Sequence, residues 1–271
     1  MTVIQPSRGW TLADLAELWH FRELLFFLVW RDVKVRYKQT LLGALWDILK
    51  PFFTMVFFTI IFGRLAQIPT VNAPAPVFYF AGLFPWVLFQ DGITKASTSL
   101  VTNRNLVTKV YFPRLAIPLA TVTAPLVDFV LAFVFLLGIM LYYQYPPAGP
   151  VWALPLFTLL ALTTAFGAGL WLAALNVAYR DIGYITPFIV QAWLYASPVA
   201  YSATIIPEGL GQLAFALNPM AGVVQGFRWA ILGVGQPSLS FLGVSVGVSL
   251  ILLLSGLFYF RRMERTFADV V

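Results

Sequence analysis

The chain has 271 residues and a formal net charge of +6; 60% of its residues are hydrophobic and only 10% are charged. A soluble domain has about 25% charged residues, so this composition excludes a soluble globular protein and equally excludes a disordered one. The sequence has no cysteine and one histidine, which excludes disulfides, thiol catalysis and an ordinary zinc site built on Cys and His.

Residues 1–40 are predicted to form a cytoplasmic N-terminus with an amphipathic helix that lies in the membrane interface. Their longest apolar run, residues 24–30, is too short to cross a bilayer, because a spanning helix needs about 20 apolar residues. The basic residues that follow this run suit the cytoplasmic surface of a membrane. The alternative interpretation of the segment is a solvated basic linker.

Six later segments have the length and apolar character of transmembrane helices. The predicted spans cover residues 41–63, 77–96, 115–141, 151–176, 184–201 and 239–260. Proline-containing loops at residues 64–76 and 142–150 end the first and third spans, and a polar, basic segment at residues 101–114 precedes the third.

Residues 205–235 are apolar but contain Glu208, Arg228 and the pair Asn218–Pro219. We predict two short helices that break at this pair, enter the membrane from the outer side and return, because broken helices are tolerated where protein buries them. A seventh full span is the alternative. It would place the three arginines that follow residue 260 outside the cell, against the positive-inside rule.

The sequence therefore predicts an all-α integral membrane protein with six transmembrane helices, an N-terminal interfacial amphipathic helix and a short re-entrant helix pair between spans five and six. Residues 1–40 form the cytoplasmic N-terminus, residues 41–260 the membrane domain and residues 261–271 a cytoplasmic tail. In this arrangement every Lys and Arg except Arg64 and Arg228 lies on the cytoplasmic side.

Motifs that would give the chain its own chemistry are absent from the sequence. It has no G-x-x-x-x-G-K-[ST] motif, so it does not bind ATP through a P-loop, and we predict no catalytic residue and no metal ligand. Its polar segments are too short for a soluble domain, so an energy-coupling domain is expected on another polypeptide. Asp128 is the one carboxylate deep in a predicted span. It is either functional or bonded structurally to a neighbouring helix near Pro125.

Two long stretches and several short ones resemble a known family. Residues 24–63 read LLFFLVWRDVKVRYKQTLLGALWDILKPFFTMVFFTIIFG, and residues 104–119 read RNLVTKVYFPRLAIPL. AGLFPWVLF, LNVAYRDIGY, ASPVAY, LNPMAGVVQGFRWAI and FYFRRMERTFADVV follow the same pattern in the same order. Together they resemble the permease subunits of ABC exporters for bacterial surface polysaccharides of the O-antigen, capsule and teichoic-acid types.

The resemblance implies a homodimer of permeases in the cytoplasmic (inner) membrane, bound to two copies of a separate P-loop ATPase. ATP and Mg would bind to that partner, and this chain would bind no cofactor and no nucleic acid. The substrate would be a lipid-linked polysaccharide, and membrane lipids would contact the spans.

Within that family, cytoplasmic residues would receive the motion of the ATPase. The candidates are Arg31, Lys34, Arg36, Asn103, Arg104, Lys109, Arg114, Tyr179, Arg180 and Asp181. The alternative is that their charges only set the membrane topology.

A glycan path would present aromatic faces, which pack against the C–H faces of sugar rings. The candidates are Tyr79, Phe84, Trp86, Phe89, Trp193, Tyr195 and Tyr201, with Arg228 as a partner for the pyrophosphate of a lipid carrier. The alternatives are lipid-facing or core positions for the aromatic residues, and a headgroup contact for Arg228.

Other functions remain open at this point. An ABC permease for a smaller lipid or a drug is the nearest alternative. A membrane enzyme acting on lipid-linked sugars would need paired acids or a His–acid site, and an ion channel or secondary transporter would need repeated spans or a charged ring. We find none of these in the sequence.

Overall fold

The computed structural model describes residues 18–38, 43–71, 73–202 and 210–267, and every regular element within these ranges is helical. This confirms the predicted all-α class. The first 17 residues of the predicted N-terminus, the last four of the predicted tail and residues 203–209 lie outside the described residues.

Eleven α-helices follow one another in the described part of the chain. They are α1 Arg22–Lys38, α2 Gly43–Phe58, α3 Ala75–Thr102, α4 Arg104–Lys109, α5 Ala116–Thr123, α6 Leu126–Tyr142, α7 Leu154–Ala178, α8 Ile182–Ala196, α9 Leu210–Ala216, α10 Pro219–Leu232 and α11 Leu239–Met263. A π-helical segment, Thr59–Leu65, continues α2, and short 3₁₀ segments precede α7 and follow α11.

Four helical stretches in the described ranges are long and apolar enough to cross a membrane. They are Ile48–Leu65, Ala116–Tyr142, Val151–Ala178 and Leu239–Met263. They correspond to the first, third, fourth and sixth predicted spans, and each begins or ends within a few residues of its predicted bounds except at the start of the first.

Helix α3 contains the second predicted span but is more polar than the other four. Its 28 residues would extend about 42 Å, which is enough to cross a bilayer. It carries Gln90, Asp91 and Lys95, and it packs against α2, α5, α6, α7, α8 and α10. Since α3 is the central helix, protein surrounds most of its side chains.

Helix α8 is shorter than the fifth predicted span. It ends at Ala196, and residues 197–202 form a turn instead of continuing the helix to residue 201. Pro198 provides the reason, because proline disfavours the helical conformation of the residue before it. The resulting helix of 15 residues extends about 22 Å, less than the hydrocarbon thickness of about 30 Å.

The predicted break at Asn218–Pro219 separates α9 from α10. The Asn218 side chain caps α10 by accepting a hydrogen bond from the Met220 backbone N–H at 3.0 Å. Helix α10 packs against α3, α7 and α11. At its far end the Ala148 N–H donates to the Ile231 carbonyl at 3.0 Å, which brings the loop between α6 and α7 to the end of α10.

Helix α1 forms the described second half of the predicted N-terminal helical segment. Leu28 is buried against the bundle, whereas Phe26, Phe27 and Trp30 are exposed, so apolar side chains occupy more than one side of the helix. Polarity changes along the axis instead, from the apolar first half to the charged residues 31–38. One side of α1 is occupied by contacts with α5, which leaves the remaining apolar side chains at the surface.

A separate hydrophobic cluster joins the elements at one end of the bundle. It contains Leu28 of α1, Val107 of α4, Val177 near the end of α7 and Phe260 of α11. We call this end of the bundle the basic end, because the segments that the cluster joins carry the exposed Arg104, Lys109 and Arg180.

Candidate substrate cavity and basic end

A cavity of about 500 Å³ lies between α2, α3, the start of α6 and α8. Its volume falls within the range of about 300–1,000 Å³ that is typical of ligand pockets. Its lining comprises Lys50, Pro51, Phe53, Thr54, Phe57, Phe58, Leu83, Phe84, Trp86, Val87, Leu88, Gln90, Asp91, Pro125, Asp128, Phe129, Ala132, Gln191, Leu194 and Tyr195. Helix α2 packs on α3 and α6, and α8 packs on α3 and α7, so the cavity forms where α2 and α8 flank the central helix.

The buried wall of the cavity is aromatic. The rings of Phe84 and Phe129 are stacked with their centroids 4.0 Å apart, and Trp86 is also buried. The Trp86 indole N–H donates to the Gln90 side-chain oxygen at 2.9 Å, which fixes the ring in the wall. The buried wall therefore consists mainly of aromatic carbon with a few polar groups.

The exposed rim of the cavity is mixed in polarity. Lys50, Phe53 and Phe57 lie at the rim on α2, and Gln191 and Tyr195 lie at the rim on α8. The Gln191 amide donates to the Tyr195 hydroxyl at 3.3 Å. The rim therefore offers one cation, an amide and a hydroxyl beside exposed aromatic rings.

The cavity contains three of the aromatic residues proposed for the glycan path: Phe84, Trp86 and Tyr195. Tyr79 and Phe89 do not line it and are wholly buried in the core. The hydroxyl oxygen of Tyr79 is buried and has no hydrogen-bond partner among the described residues.

Two further residues of the predicted path, Trp193 and Tyr201, lie outside the cavity and belong to the junction between α8 and α10. The Trp193 indole donates to the Asn218 side-chain oxygen at 2.8 Å, and the ring packs edge-on against Phe89. Tyr201 is half-buried, and its ring lies 6.3 Å from that of Phe215. In this structure both side chains contribute to packing between helices.

Arg228 is buried, and its guanidinium is directed at backbone carbonyls. It donates to the carbonyls of Pro198, Val199 and Tyr201 at 2.5, 2.6 and 2.8 Å. The guanidinium also lies 3.7 Å from the centre of the Phe78 ring, a cation–π geometry. The structure thus places Arg228 as a clamp on the turn after α8, and it does not line the cavity.

Sequence reasoning missed most of the polar residues of the cavity. Lys50, Gln90, Asp91 and Gln191 were not singled out for the path, although polar residues inside apolar segments are the signal that marks such sites. Phe53 and Phe57 were also missed. Their spacing of four residues places them on one face of α2.

The residues proposed for ATPase coupling include six exposed positions. They are Lys34, Arg104, Lys109, Tyr179, Arg180 and Asp181. The segments that carry them are joined by the hydrophobic cluster of the basic end. Asn176 ties the turn between α7 and α8 to α3, because its amide donates to the Ser97 carbonyl at 2.9 Å and its oxygen accepts from the Gly183 N–H at 3.1 Å.

The other four residues of this set have intramolecular partners. Arg31 pairs with Asp32 at 2.8 Å, and the Asn103 amide donates to the Ser99 carbonyl at 2.9 Å. The remaining two, Arg36 and Arg114, have partners that are distant in the sequence. Arg36 pairs with Asp128, and the Arg114 guanidinium donates to the Glu264 carbonyl, which links the segment before α5 to the end of α11.

No group of three or more His, Cys, Asp or Glu side chains that would hold a metal ion occurs among the residues that the structure describes.

Comparison with known proteins gives a consistent result over most of the chain. A family model described as ABC-2 type transporter matches residues 23–232. The chain is 32% identical over 256 residues to the Myxococcus xanthus "O-antigen export system permease protein RfbA", with 94% of this chain and 98% of that protein covered. A Klebsiella pneumoniae protein of the same name is 27% identical over 250 residues, covering 92% and 95% of the two chains. The Escherichia coli "Polysialic acid transport protein KpsM" is 24% identical over 244 residues, covering 86% and 91%.

Proposed function

This chain belongs to the ABC-2 type transporter family, and we propose that it is the permease subunit of an ATP-driven exporter that moves a lipid-linked polysaccharide of the O-antigen or capsule type across the cytoplasmic membrane. The observation that carries the proposal is the similarity to O-antigen export permeases over almost the full length of both chains. The aromatic cavity supports a glycan substrate, because ring faces bind sugars without requiring one fixed sequence of contacts.

The proposed membrane arrangement has six spans with both termini in the cytoplasm. Four helical stretches have the required length and hydropathy, and α3 and α8 would complete the six. Helices α9 and α10 would form the re-entrant pair on the outer side. The concentration of basic residues at one end supports this orientation, since such residues favour the cytoplasmic side.

The proposed assembly is a homodimer of this chain with two copies of a separate P-loop ATPase. ATP and Mg would bind to the ATPase, because this sequence has no P-loop motif. The basic end would be the docking surface, with the exposed Arg104, Lys109 and Arg180 facing acidic groups of the partner or lipid phosphates.

In this mechanism the cavity is the part of the path that each chain contributes. Closure of the ATPase dimer on ATP would move the elements at the basic end relative to the spans. The glycan would then pass along aromatic walls such as Phe84 and Phe129, where no single contact is strong enough to stop it.

The first experiment is purification of the tagged chain from its native membrane in mild detergent, followed by identification of its partners and an ATPase assay. We expect a stoichiometric P-loop ATPase with vanadate-sensitive turnover. Deletion of the chain should abolish export of a surface polysaccharide, and a plasmid-borne copy should restore it. A stable preparation with no ATPase, or unchanged surface polysaccharide after deletion, would contradict the proposal.

A further inference from the structure

Asp128 holds a position that the proposed transport path does not by itself explain. It is the only carboxylate in residues 115–142 and is 9% exposed. It lies in the first turn of α6, directly after the turn Ala124–Pro125 that separates α6 from α5. A buried acid at this depth needs partners, because an ionised carboxylate is costly to desolvate.

Both partners of Asp128 come from the last turn of α1. The Tyr37 hydroxyl donates to one carboxylate oxygen, and the Arg36 guanidinium pairs with the other. The contact therefore connects residues 91 positions apart in the sequence and joins two elements that are not consecutive.

The same carboxylate also lines the cavity, together with its neighbours Phe129 and Ala132. Phe129 stacks on Phe84 and so forms part of the aromatic wall. The other charged residues in the lining are Lys50 and Asp91, and Asp91 is paired with Lys95 at 3.0 Å. Asp128 is thus one side chain in contact with both α1 and the cavity.

Helix α1 begins at the basic end and reaches the cavity. Leu28 belongs to the hydrophobic cluster there, and α1 packs along α5 before Arg36 and Tyr37 meet Asp128. If α1 moved away alone, Arg36 and Asp128 would both lose a partner in a poorly solvated place, which is strongly unfavourable. Displacement of α1 must therefore carry the start of α6 with it.

The turn Ala124–Pro125 gives α6 a point at which to move. Proline lacks the N–H that would continue the hydrogen-bond ladder of α5, so α5 and α6 are two helices rather than one rigid rod. Movement of α6 about this turn would shift Phe129 relative to Phe84.

We propose that Asp128, which is bonded to Arg36 and Tyr37, is the positioning residue that transmits movement of α1 to the aromatic wall of the cavity. The inference rests on the proposed function, since it assumes that a partner ATPase moves the basic end. It assigns Asp128 a role in the coupling of ATP hydrolysis to export. In this role Asp128 does not contact ATP and takes part in no chemical step.

The test compares Asp128→Asn, Asp128→Glu and Tyr37→Phe in the complete complex with its ATPase, reconstituted in membrane vesicles. Both ATP hydrolysis and polysaccharide export are measured, and the quantity of interest is export per ATP hydrolysed. The matched control is Glu23→Gln, which removes an exposed carboxylate in the first turn of the same helix α1.

We expect Asp128→Asn to assemble and hydrolyse ATP within about twofold of the wild type, while export per ATP falls at least about fivefold, as for a lost coupling of moderate size. Tyr37→Phe should lower export per ATP by a smaller factor. When it is combined with Asp128→Asn, the ratio should be little lower than in Asp128→Asn alone. Asp128→Glu should restore part of the export per ATP, and Glu23→Gln should leave it unchanged.

An unchanged ratio in Asp128→Asn would overturn the inference, as would a parallel loss of hydrolysis and export that follows the yield of assembled complex. If Asp128→Asn fails to assemble, Tyr37→Phe decides, because it retains the ion pair: a lowered ratio supports coupling and an unchanged one rejects it. Failure of the proposed function is distinguishable, since the wild-type complex would then export no polysaccharide.

Discussion

Arg228 illustrates how one buried side chain fixes the connection between two helices. Its guanidinium donates to three carbonyls of the turn after α8. At the start of the same turn, the Asn218 amide donates to the Ala196 carbonyl, with a distance of 3.1 Å between the two atoms. Gly82 lies beside it: a Cβ there would lie 2.7 Å from an Arg228 nitrogen, so the guanidinium would have to shift. The turn replaces the last helical residues of the predicted fifth span, so its carbonyls need such donors.

Replacement of Arg228 should therefore act on stability. Arg228→Ala leaves several buried carbonyls without donors, and we expect the free energy of unfolding to fall by at least about 3 kcal/mol. Arg228→Lys should be intermediate, since an ammonium has fewer donors. Thermal unfolding of the purified protein in detergent measures the effect, with the exposed Arg64→Ala as the control. A normal melting temperature combined with lost export would instead favour the pyrophosphate role.

Substitution of Tyr195 tests whether the cavity belongs to the transport path, because this side chain is exposed and its removal leaves the core intact. We expect Tyr195→Ala to slow export roughly two- to tenfold at unchanged ATPase content, the loss that one aromatic contact of about 0.5–1.5 kcal/mol would cause. The control is Phe258→Ala, another exposed aromatic residue, which lies on α11 away from the cavity. Equal export rates in both variants would remove Tyr195 from the path.

At the scale of elements, the backbones of α7 and α11 approach each other so closely that Gly167 has no room for a side chain. A Cβ on Gly167 would lie 2.6 Å from the Leu253 backbone nitrogen, and Thr164 and Ser249 are hydrogen-bonded across the pair at 3.0 Å. Small residues allow backbones to approach in this way in membrane proteins. The pair supports the central helix α3, which packs on α7 along the bundle.

We therefore expect Gly167→Ala to destabilise the protein by about 1–3 kcal/mol, because the added methyl meets backbone that cannot move independently. Gly243→Ala is the matched control on α11: a Cβ there has no atom within 4 Å. Alanine favours a helix over glycine by about 1 kcal/mol, so the control should leave the melting temperature unchanged or raise it. Fluorescence-detected thermal unfolding in detergent compares the two.

At the scale of the whole molecule, the number of spans decides on which side of the membrane each connecting segment lies. The chain has no cysteine, so a single introduced cysteine is the only residue of this protein that a thiol reagent can label. In the six-span arrangement Tyr111 and Tyr179 face the cytoplasm and Trp152 faces outward. If only the four apolar stretches crossed, with the same first span, all three assignments would reverse.

We expect Trp152→Cys and Leu239→Cys to react with a membrane-impermeant maleimide in intact cells, and Tyr111→Cys and Tyr179→Cys to react only after permeabilisation. All four side chains are exposed in the structure, so lack of reaction reports the membrane and not burial. Leu239 faces outward in both arrangements and is the positive control. Labelling of Tyr111→Cys in intact cells would refute the second span.

Sequence alone predicted the all-helical class, four helical stretches that are long and apolar enough to cross a membrane, and the break at Asn218–Pro219. These are local properties: composition decides whether a segment tolerates lipid, and Asn218 and Pro219 are residue types that favour the first positions of a helix. The family resemblance also came from the sequence alone, because similar residues recur in the same order along almost the whole chain.

Which residues share a surface depends on the tertiary structure. Phe84 and Phe89 look equivalent in the sequence, yet one lines a cavity and the other is enclosed in the core. Asp128 acquired its partners from a helix 91 residues away, and Arg228 acquired its carbonyl acceptors from residues 198–201, which form a turn where the predicted fifth span continued as a helix. Cavities and buried charges depend on how distant segments pack, and local periodicity carries no information about that packing.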